Sequence, residues 1–473
     1  MDNLKQAVNP YLPSWEYVPD GEPYVFGDRV YVYGSHDFFQ GDVYCMGDYV
    51  GWSAPVDNLG DWRYEGVIYR KAQDPRNGDL QGNLYAPDVT VGPDGRYYLY
   101  YVLSNCGVVS VAACNEPAGR YEFYGYVHYP DGTLLGEKEG DEPQFDPGVI
   151  TENGRTYLYT GFCGVGDETR HGAMCTVLGS DMLTVLEAPV FLAPSSTTSE
   201  GTGFEGHEFF EAPSIRKKDG LYYFIYSSVK FHELCYATST EPTRGFVYRG
   251  VMVSGGDLHI DAYKPAEKCA YYTANNHGSM VQIGEDWFIF YHRHTNGTNY
   301  SRQGCFEKLS FTEDGSVIQA TMTSCCSLAP LRGEGEYPTY IACNLFTEED
   351  MTYVPWSGWM DDRFPKITQL GGDGDENLGY IANMRNTATA GFKYFECHGL
   401  KRISVRTKGY AKGKMEIRTA WDGPVLGEAL IDYANVWHDT VAETDIPDGV
   451  NALYFTFNGT GYLQFAAFTL MPY

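Results

Sequence analysis

GDRVYVYGS, residues 27–35, is a turn followed by an alternating aromatic and β-branched run, and the pattern recurs four more times along the chain. The other copies are DGRYYLYYV from Asp94, NGRTYLYTG from Asn153, DGLYYFIYSS from Asp219 and GEDWFIFYHR from Gly284, with successive starts 67, 59, 66 and 65 residues apart. Each reads as the turn and second strand of a β-hairpin. A second repeat follows three of them: WSAPVDNLGDWRYEG from Trp52, AACNEPAGRYEFYG from Ala112 and ATSTEPTRGFVYRG from Ala237. Together they predict four antiparallel strands per unit, and five such units predict a five-bladed β-propeller over about residues 8–330. A pair of β-sandwiches is the competing arrangement, and the even spacing argues against it.

The pattern then changes. Residues 331–342, LRGEGEYPTYIA, read as a linker or crossover, and after them come the short alternating segments KRISVRTKG, GKMEIRTAW, ALYFTFNG and LQFAAFTLM. Turn signals separate them as in a β-sandwich. The expected division of this all-β chain is residues 1–335, propeller, and 336–473, a jelly-roll-like β-sandwich without clustered carboxylates.

Composition narrows the function. Aromatic residues make 15% of the 473, which suits strands and offers faces on which sugars stack. The formal net charge of −28 repels phosphate backbones and excludes nucleic acid as an expected partner. No run of about 18 apolar residues predicts a membrane span. The opening MDNLKQAVNPYLPSW lacks a basic segment followed by an apolar one, so the expectation is a cytoplasmic protein whose twelve scattered cysteines stay reduced. Oligomeric state has no signature here.

An acid precedes four of the five hairpin turns. Asp20 lies seven residues before Gly27, Asp88 seven before Gly95, Asp146 eight before Gly154 and Glu211 nine before Gly220; His277 lies seven before Gly284. First strands of propeller blades line the central channel, so equivalent positions form a ring. One such acid is ordinarily a turn residue. Four at one phase point to chemistry or cation binding, because like charges in a narrow funnel repel. Glycosidic cleavage needs one protonated carboxyl and one ionised one, and a third carboxylate can raise the acid's pKa. Asp20 and Glu211 fall on units one and four, a separation that favours inversion.

These blocks resemble glycoside hydrolase family 43, the five-bladed β-xylosidases, α-L-arabinofuranosidases and arabinanases. NPYLPSWEYVPDGEPYVFGDRVYVYGSHD, QFDPGVITENGRTYLYTG and EFFEAPSIRKKDGLYYFIYSS are similar to its three acid blocks. The resemblance implies Asp20 as general base, Asp146 as the residue that tunes and orients the acid, and Glu211 as general acid. LYAPDVTVGPDGRYYLYY is similar to the family's WAPD segment with Tyr85 in place of Trp, which with Asp88 implies substrate positioning. NNHGS implies that His277 sits on the axis, beside a calcium ion or waters; the competing reading is a hydrogen-bonded channel-floor histidine. SRQGCFEKLSF implies that Arg302 contacts substrate. GLKRISVRTKGYAKGKMEIR and GVNALYFTFNG resemble carbohydrate-binding module family 6. The implied activity is exo-acting, inverting release of arabinose or xylose from plant-derived oligosaccharides with no required cofactor. The alternatives are a glycan-binding propeller without catalysis, which should have lost an acid, and a propeller glycosidase for another sugar. Among the latter, the retaining fructan-cleaving enzymes are disfavoured by PDGEP and FEAP at the relevant places.

Overall fold

The structure, a computed structural model, describes residues 5–260, 262–349 and 359–472. The five repeats form five antiparallel sheets whose strands follow chain order. Blade one comprises Glu22–Phe26, Arg29–Tyr33, Tyr49–Pro55 and Arg63–Tyr69, and blade two Leu84–Val91, Tyr97–Leu103, Ser110–Cys114 and Glu122–Tyr126. Blade three comprises Gly148–Glu152, Arg155–Thr160, Gly172–Leu178 and Val185–Pro194, and blade four Phe209–Lys218, Leu221–Ser228, Glu233–Ser239 and Val247–Ser254. Blade five holds Met280–Ile283, Asp286–His294 and Arg302–Lys308. First strands of neighbouring blades touch one another, which places them around the propeller axis.

The quoted repeats form the second strands because their turns suit tight hairpins. Asn153 and Gly154 have φ of 51° and 74°, and Asp219 and Gly220 have 50° and 83°, the paired positive values of a type I′ turn. Side chains of a second strand alternate between two buried faces. Tyr101 packs with Tyr33, Tyr49 and Tyr69 of blade one, whereas Tyr98 and Tyr100 pack with Leu158 and Leu178 of blade three. A blade buried on both faces needs large side chains throughout, which accounts for the aromatic content. At the axis the backbones crowd: a Cβ on Gly148 would lie 2.3 Å from the Pro213 carbonyl oxygen, so only glycine fits there.

Blade five departs from the four-strand expectation, since its sheet has three strands among the described residues. The N-terminal segment covers its outer edge instead. Tyr11 N donates to Gly304 O at 3.2 Å, and Asn9 N to Ser324 O at 3.1 Å. The Asn9 side chain donates to Phe306 O, Thr323 O and Glu307 Oε1 and accepts from Phe306 N, all within 3.1 Å. Glu307 also accepts from Thr323, Ser327 and Tyr291, and burial pushes its carboxyl up to about 8. The ring is therefore closed by polar side chains from the chain's two ends of the propeller. At the axis, a parallel bridge between Gly21 and Gly278 joins blades one and five.

From Leu331 onward the strands belong to one curled ten-stranded sheet that folds over itself as a β-sandwich. Two long strands, Leu400–Arg418 and Gly449–Pro472, pair along nearly their whole length and carry it. Phe392, Phe395, Phe455, Phe465 and Phe468 fill its interior, and that core runs on without a break into Ile225, Ile289 and Tyr291 of blades four and five. All twelve cysteines are free thiols. Among the described residues no helix is long and apolar enough to cross a membrane.

Asn9→Ala removes four buried hydrogen bonds from the ring closure and should destabilise the protein by about 2–4 kcal/mol. Thermal denaturation checks this, and an unchanged melting temperature would mean the N-terminal segment does not close the ring.

Candidate active site

The channel mouth holds a cavity of about 230 Å³ lined by side chains from all five blades. Asp20, Tyr85, Asp146, Glu211, His277 and Arg302 all line it, so six of the seven residues singled out from sequence converge on one space. The first strands deliver them. Asp20 and Asp146 each stand two residues before a first strand with φ of 57° and 44°, and Ala212, directly after Glu211, has φ of 63°. Left-handed backbone at three non-glycine positions around one cavity is the local strain that functional sites often hold.

Asp88 lies elsewhere. Strand pairing sets Glu22 opposite Tyr33 in blade one and Asp88 opposite Tyr100 in blade two, so Asp88 is the counterpart of Glu22. Ala86 takes the place that Asp20 occupies. The five-residue turn Gly92–Arg96 of blade two, against Gly27–Asp28 in blade one, is the reason that equal spacing from the turn misaligned the two acids. Asp88 is fully buried and accepts from Tyr24 Oη at 2.6 Å and from the backbone N–H groups of Val89 and Val149 at 2.7 Å.

The site thus has two tiers. In the lower one, burial and Asp88 push Glu22 up to about 8, and Arg216 reaches its Oε2 at 2.6 Å while lying over the Tyr24 ring. In the upper one, Arg302 is the cation. Its Nη1 donates to Asp20 Oδ1 at 2.8 Å, and its Nε and Nη2 donate to the two oxygens of Asp37 at 2.8 and 3.0 Å. Burial alone would raise Asp20, but Arg302, His292 and His277 outweigh it and hold the carboxyl well below the usual range. Asp146 and Glu211 have no such cation. Burial, followed by repulsion from Glu211 and Asp20, raises Asp146; burial, followed by repulsion from Asp20, pushes Glu211 up to about 7. Asp146 is tethered beside Glu211 by Ala212 N, which donates to its Oδ2 at 3.2 Å. A carboxyl held down beside others pushed up is the kind of division that acid–base cleavage uses.

His277 faces the axis with Nδ1 4.0 Å from Asp20 and 3.8 Å from Asp146, and burial lowers it to about 4, leaving the ring neutral. Its Nε2 stands 4.0 Å from Glu22 Oε1, a buried oxygen with no protein hydrogen bond.

Several residues of the site carry no sequence signal. Loop 36–48 supplies Asp37, Tyr44 and Cys45, and Tyr44 lies under the Arg302 guanidinium at 4.8 Å. Phe145, Phe162 and Phe210 form an aromatic wall, and Asn275 completes the lining. Phe145 and Phe210 adjoin Asp146 and Glu211, the one hint available beforehand. The C-terminal region braces this rim: Asp373 Oδ1 accepts from Phe39 N at 2.7 Å, Gln369 Oε1 from Tyr17 Oη at 2.6 Å, and Ile367 O from Asn296 N at 2.5 Å.

Comparison with known proteins agrees with this architecture. The family model described as glycosyl hydrolases family 43 matches residues 27–317. A xylosidase/arabinosidase of Thermoclostridium stercorarium is 64% identical over 468 residues, spanning 98% of this chain and 99% of that protein. In structure, an arabinoxylan arabinofuranohydrolase from Bacillus subtilis solved with cellotetraose superimposes over 99% of both chains with a TM-score of 0.53 at 19% identity. A family enzyme from Xanthomonas citri complexed with xylose covers 67% of this chain and 93% of its own with a TM-score of 0.54 at 22% identity.

Arg302→Met leaves two buried carboxylates uncompensated and should cost about 3–5 kcal/mol at neutral pH. With the guanidinium gone, burial raises Asp20 above its unfolded value, so the variant's deficit should shrink as pH falls and that carboxyl takes up a proton. Denaturant melts at pH 5 and pH 8 check the sign; a deficit that grows toward pH 5 would contradict it.

Proposed function

We propose that this chain, which belongs to glycosyl hydrolases family 43 and is a glycoside hydrolase, removes single arabinose or xylose residues from the ends of plant-derived oligosaccharides with inversion. The observation that carries the proposal is the unequal pull on three carboxyls around one cavity of about 230 Å³. That volume takes one sugar ring, and a pocket of that size favours a terminal residue over an internal one. Close aromatic walls from Phe145, Phe162 and Phe210 leave little room for a hexose's extra hydroxymethyl group. The 64% identical relative is named for xyloside and arabinoside cleavage, which agrees with a pentose.

In this reading Asp20 activates water. Arg302 and His292 both converge on its Oδ1, which leaves Oδ2 for the water. Arg302 fixes the base in its ionised form and offers donors to sugar hydroxyls, with Tyr85 on the opposite wall. Glu211 delivers its proton to the glycosidic oxygen, and Asp146, tethered beside it through Ala212 N, orients that acid and opposes loss of its proton whenever Asp146 itself ionises. Placement of base and acid on blades one and four supports inversion. Asp88 acts from below, through Tyr24 and the Val149 backbone, and not on the sugar.

An axial calcium would be held by His277 and by Glu22, whose Oε1 has no protein hydrogen bond. Calcium takes six to eight oxygens, so this donor set would suit a mostly hydrated ion that supplies positive charge beside buried acids. Cytoplasmic action on short imported oligomers fits a pocket for chain ends. The region after residue 335 then serves as the brace of the rim.

Wild-type protein should cleave nitrophenyl xyloside or arabinofuranoside well above the corresponding hexosides, with an alkaline limb in kcat/KM near pH 7 set by Glu211. Glu211→Gln and Asp20→Asn should each lower turnover of natural oligosaccharides by about 10³-fold or more while the melting temperature stays near wild type. Full activity in Glu211→Gln would sink the acid assignment, and proton NMR showing retention in the first anomer released would sink inversion.

A further inference from the structure

Asn275 connects the two ends of the reaction. It stands two residues before His277, lines the cavity, and has its side chain between two partners. On one side its Oδ1 lies 2.8 Å from His294 Nε2. His294 is fully buried and held neutral, first by burial and then by His292, so the Nε2 that meets a carbonyl-type oxygen carries the proton and donates. That bond fixes the amide orientation: with Oδ1 turned to His294, Nδ2 is turned into the cavity that Glu211 also lines, and the Asn275 side chain draws the Glu211 carboxyl down against burial. His294 is itself held from behind, through Tyr271, whose hydroxyl donates to its backbone carbonyl at 2.8 Å.

The same residue reaches the base. His292 Nε2 donates to the Asn275 backbone carbonyl at 2.9 Å, and His292 Nδ1 lies 3.3 Å from Asp20 N and 3.2 Å from Asp20 Oδ1. One asparagine therefore anchors the imidazole that touches Asp20 and presents its amide N–H to the cavity that Glu211 lines. Resting on the reading of Glu211 as general acid, we propose that Asn275 is a positioning residue of the reaction: its Nδ2–H stabilises the carboxylate that Glu211 becomes when it gives up its proton.

The chemistry follows from where charge develops. As the glycosidic bond breaks, the Glu211 proton moves to the leaving oxygen and negative charge appears on the carboxyl. Asp20 opposes that charge, as does Asp146 when ionised, Arg302 favours it, and Tyr44 and Tyr85 line the same cavity. Asn275 is the uncharged donor on the same cavity wall that favours it. A donor to the carboxylate lowers the acid's pKa and strengthens proton transfer, so it offsets part of what burial raises. The demand is greatest when the leaving group is a poor one, because a nitrophenolate departs with little help from an acid.

Two variants separate this role from packing. Asn275→Ala removes the donor. Asn275→Asp keeps the shape and the bond to His294 but turns an acceptor toward Glu211. Both are assayed on a pentose disaccharide and on the dinitrophenyl pentoside, across pH. For Asn275→Ala the expectation is a loss of about 10- to 100-fold in kcat on the disaccharide, a loss under about threefold on the activated substrate, and an alkaline limb moved up by about one pH unit. Asn275→Asp should move the limb at least as far and lose at least as much on the disaccharide, with a melting temperature near wild type. Equal losses on both substrates with an unmoved limb, or an Asn275→Asp variant that matches wild type, would overturn the assignment. Wild-type protein that cleaves no pentoside would overturn the underlying reading and this one with it, which keeps the two failures distinct.

Discussion

Burying like charges around one axis is the constraint on which this site depends. Five first strands meet there, and the residues that face the shaft include Asp20, Glu22, Asp88, Asp146 and Glu211. A carboxylate removed from water and set beside another is strongly unfavourable unless it is paired or protonated. The chain meets this tier by tier with one arginine in each. Arg216 compensates Glu22 below, and Arg302 compensates Asp20 and Asp37 above. Arg302 makes no such bond to Asp146 or Glu211, and burial raises both. In the proposed reading, the unequal protonation that cleavage needs is thus a consequence of where a single guanidinium is held.

The guanidinium is in turn held by parts of the fold distant in sequence. Asp37 grips it from the loop after blade one's second strand, and the β-sandwich grips that loop through Asp373. The segment before Arg302 is fastened to the sandwich by Asn296 and Gly297, whose backbone groups bond Ile367 and Met360. The continuous core between blades four and five and the sandwich makes this a rigid support. In this molecule the sandwich braces the loops that carry Asp37 and Arg302. Its aromatic residues serve the same packing: Tyr454 is buried, and Trp421 stacks on Phe346 at 3.9 Å.

Much of this was legible beforehand, and the exceptions have physical causes. The period of about 65 residues located every second strand, because a blade buried on both faces imposes aromatic alternation on whatever sequence fills it. Asp20, Asp146, Glu211 and His277 were found because first strands put equivalent positions on one ring. Asp88 shared their distance from the turn but not their height, since a hairpin turn three residues longer shifts the register, and register is a pairing property that spacing alone does not encode. The missing fourth strand of blade five was invisible because its edge is covered by residues at the far end of the chain. Asp37 and Asn275 lay at the edges of quoted blocks and Tyr44 outside them, all three off the repeated acid position, and only tertiary contact gives them a role.

The central claim is a proton count, and neutron diffraction of deuterium-exchanged crystals near pH 6 tests it most directly. The account predicts no deuterium on Asp20, a deuteron on Glu211 shared toward the Asp146 side of the cavity, and a neutral His277. A deuteron on Asp20, or bare carboxylates at both Asp146 and Glu211, would contradict it.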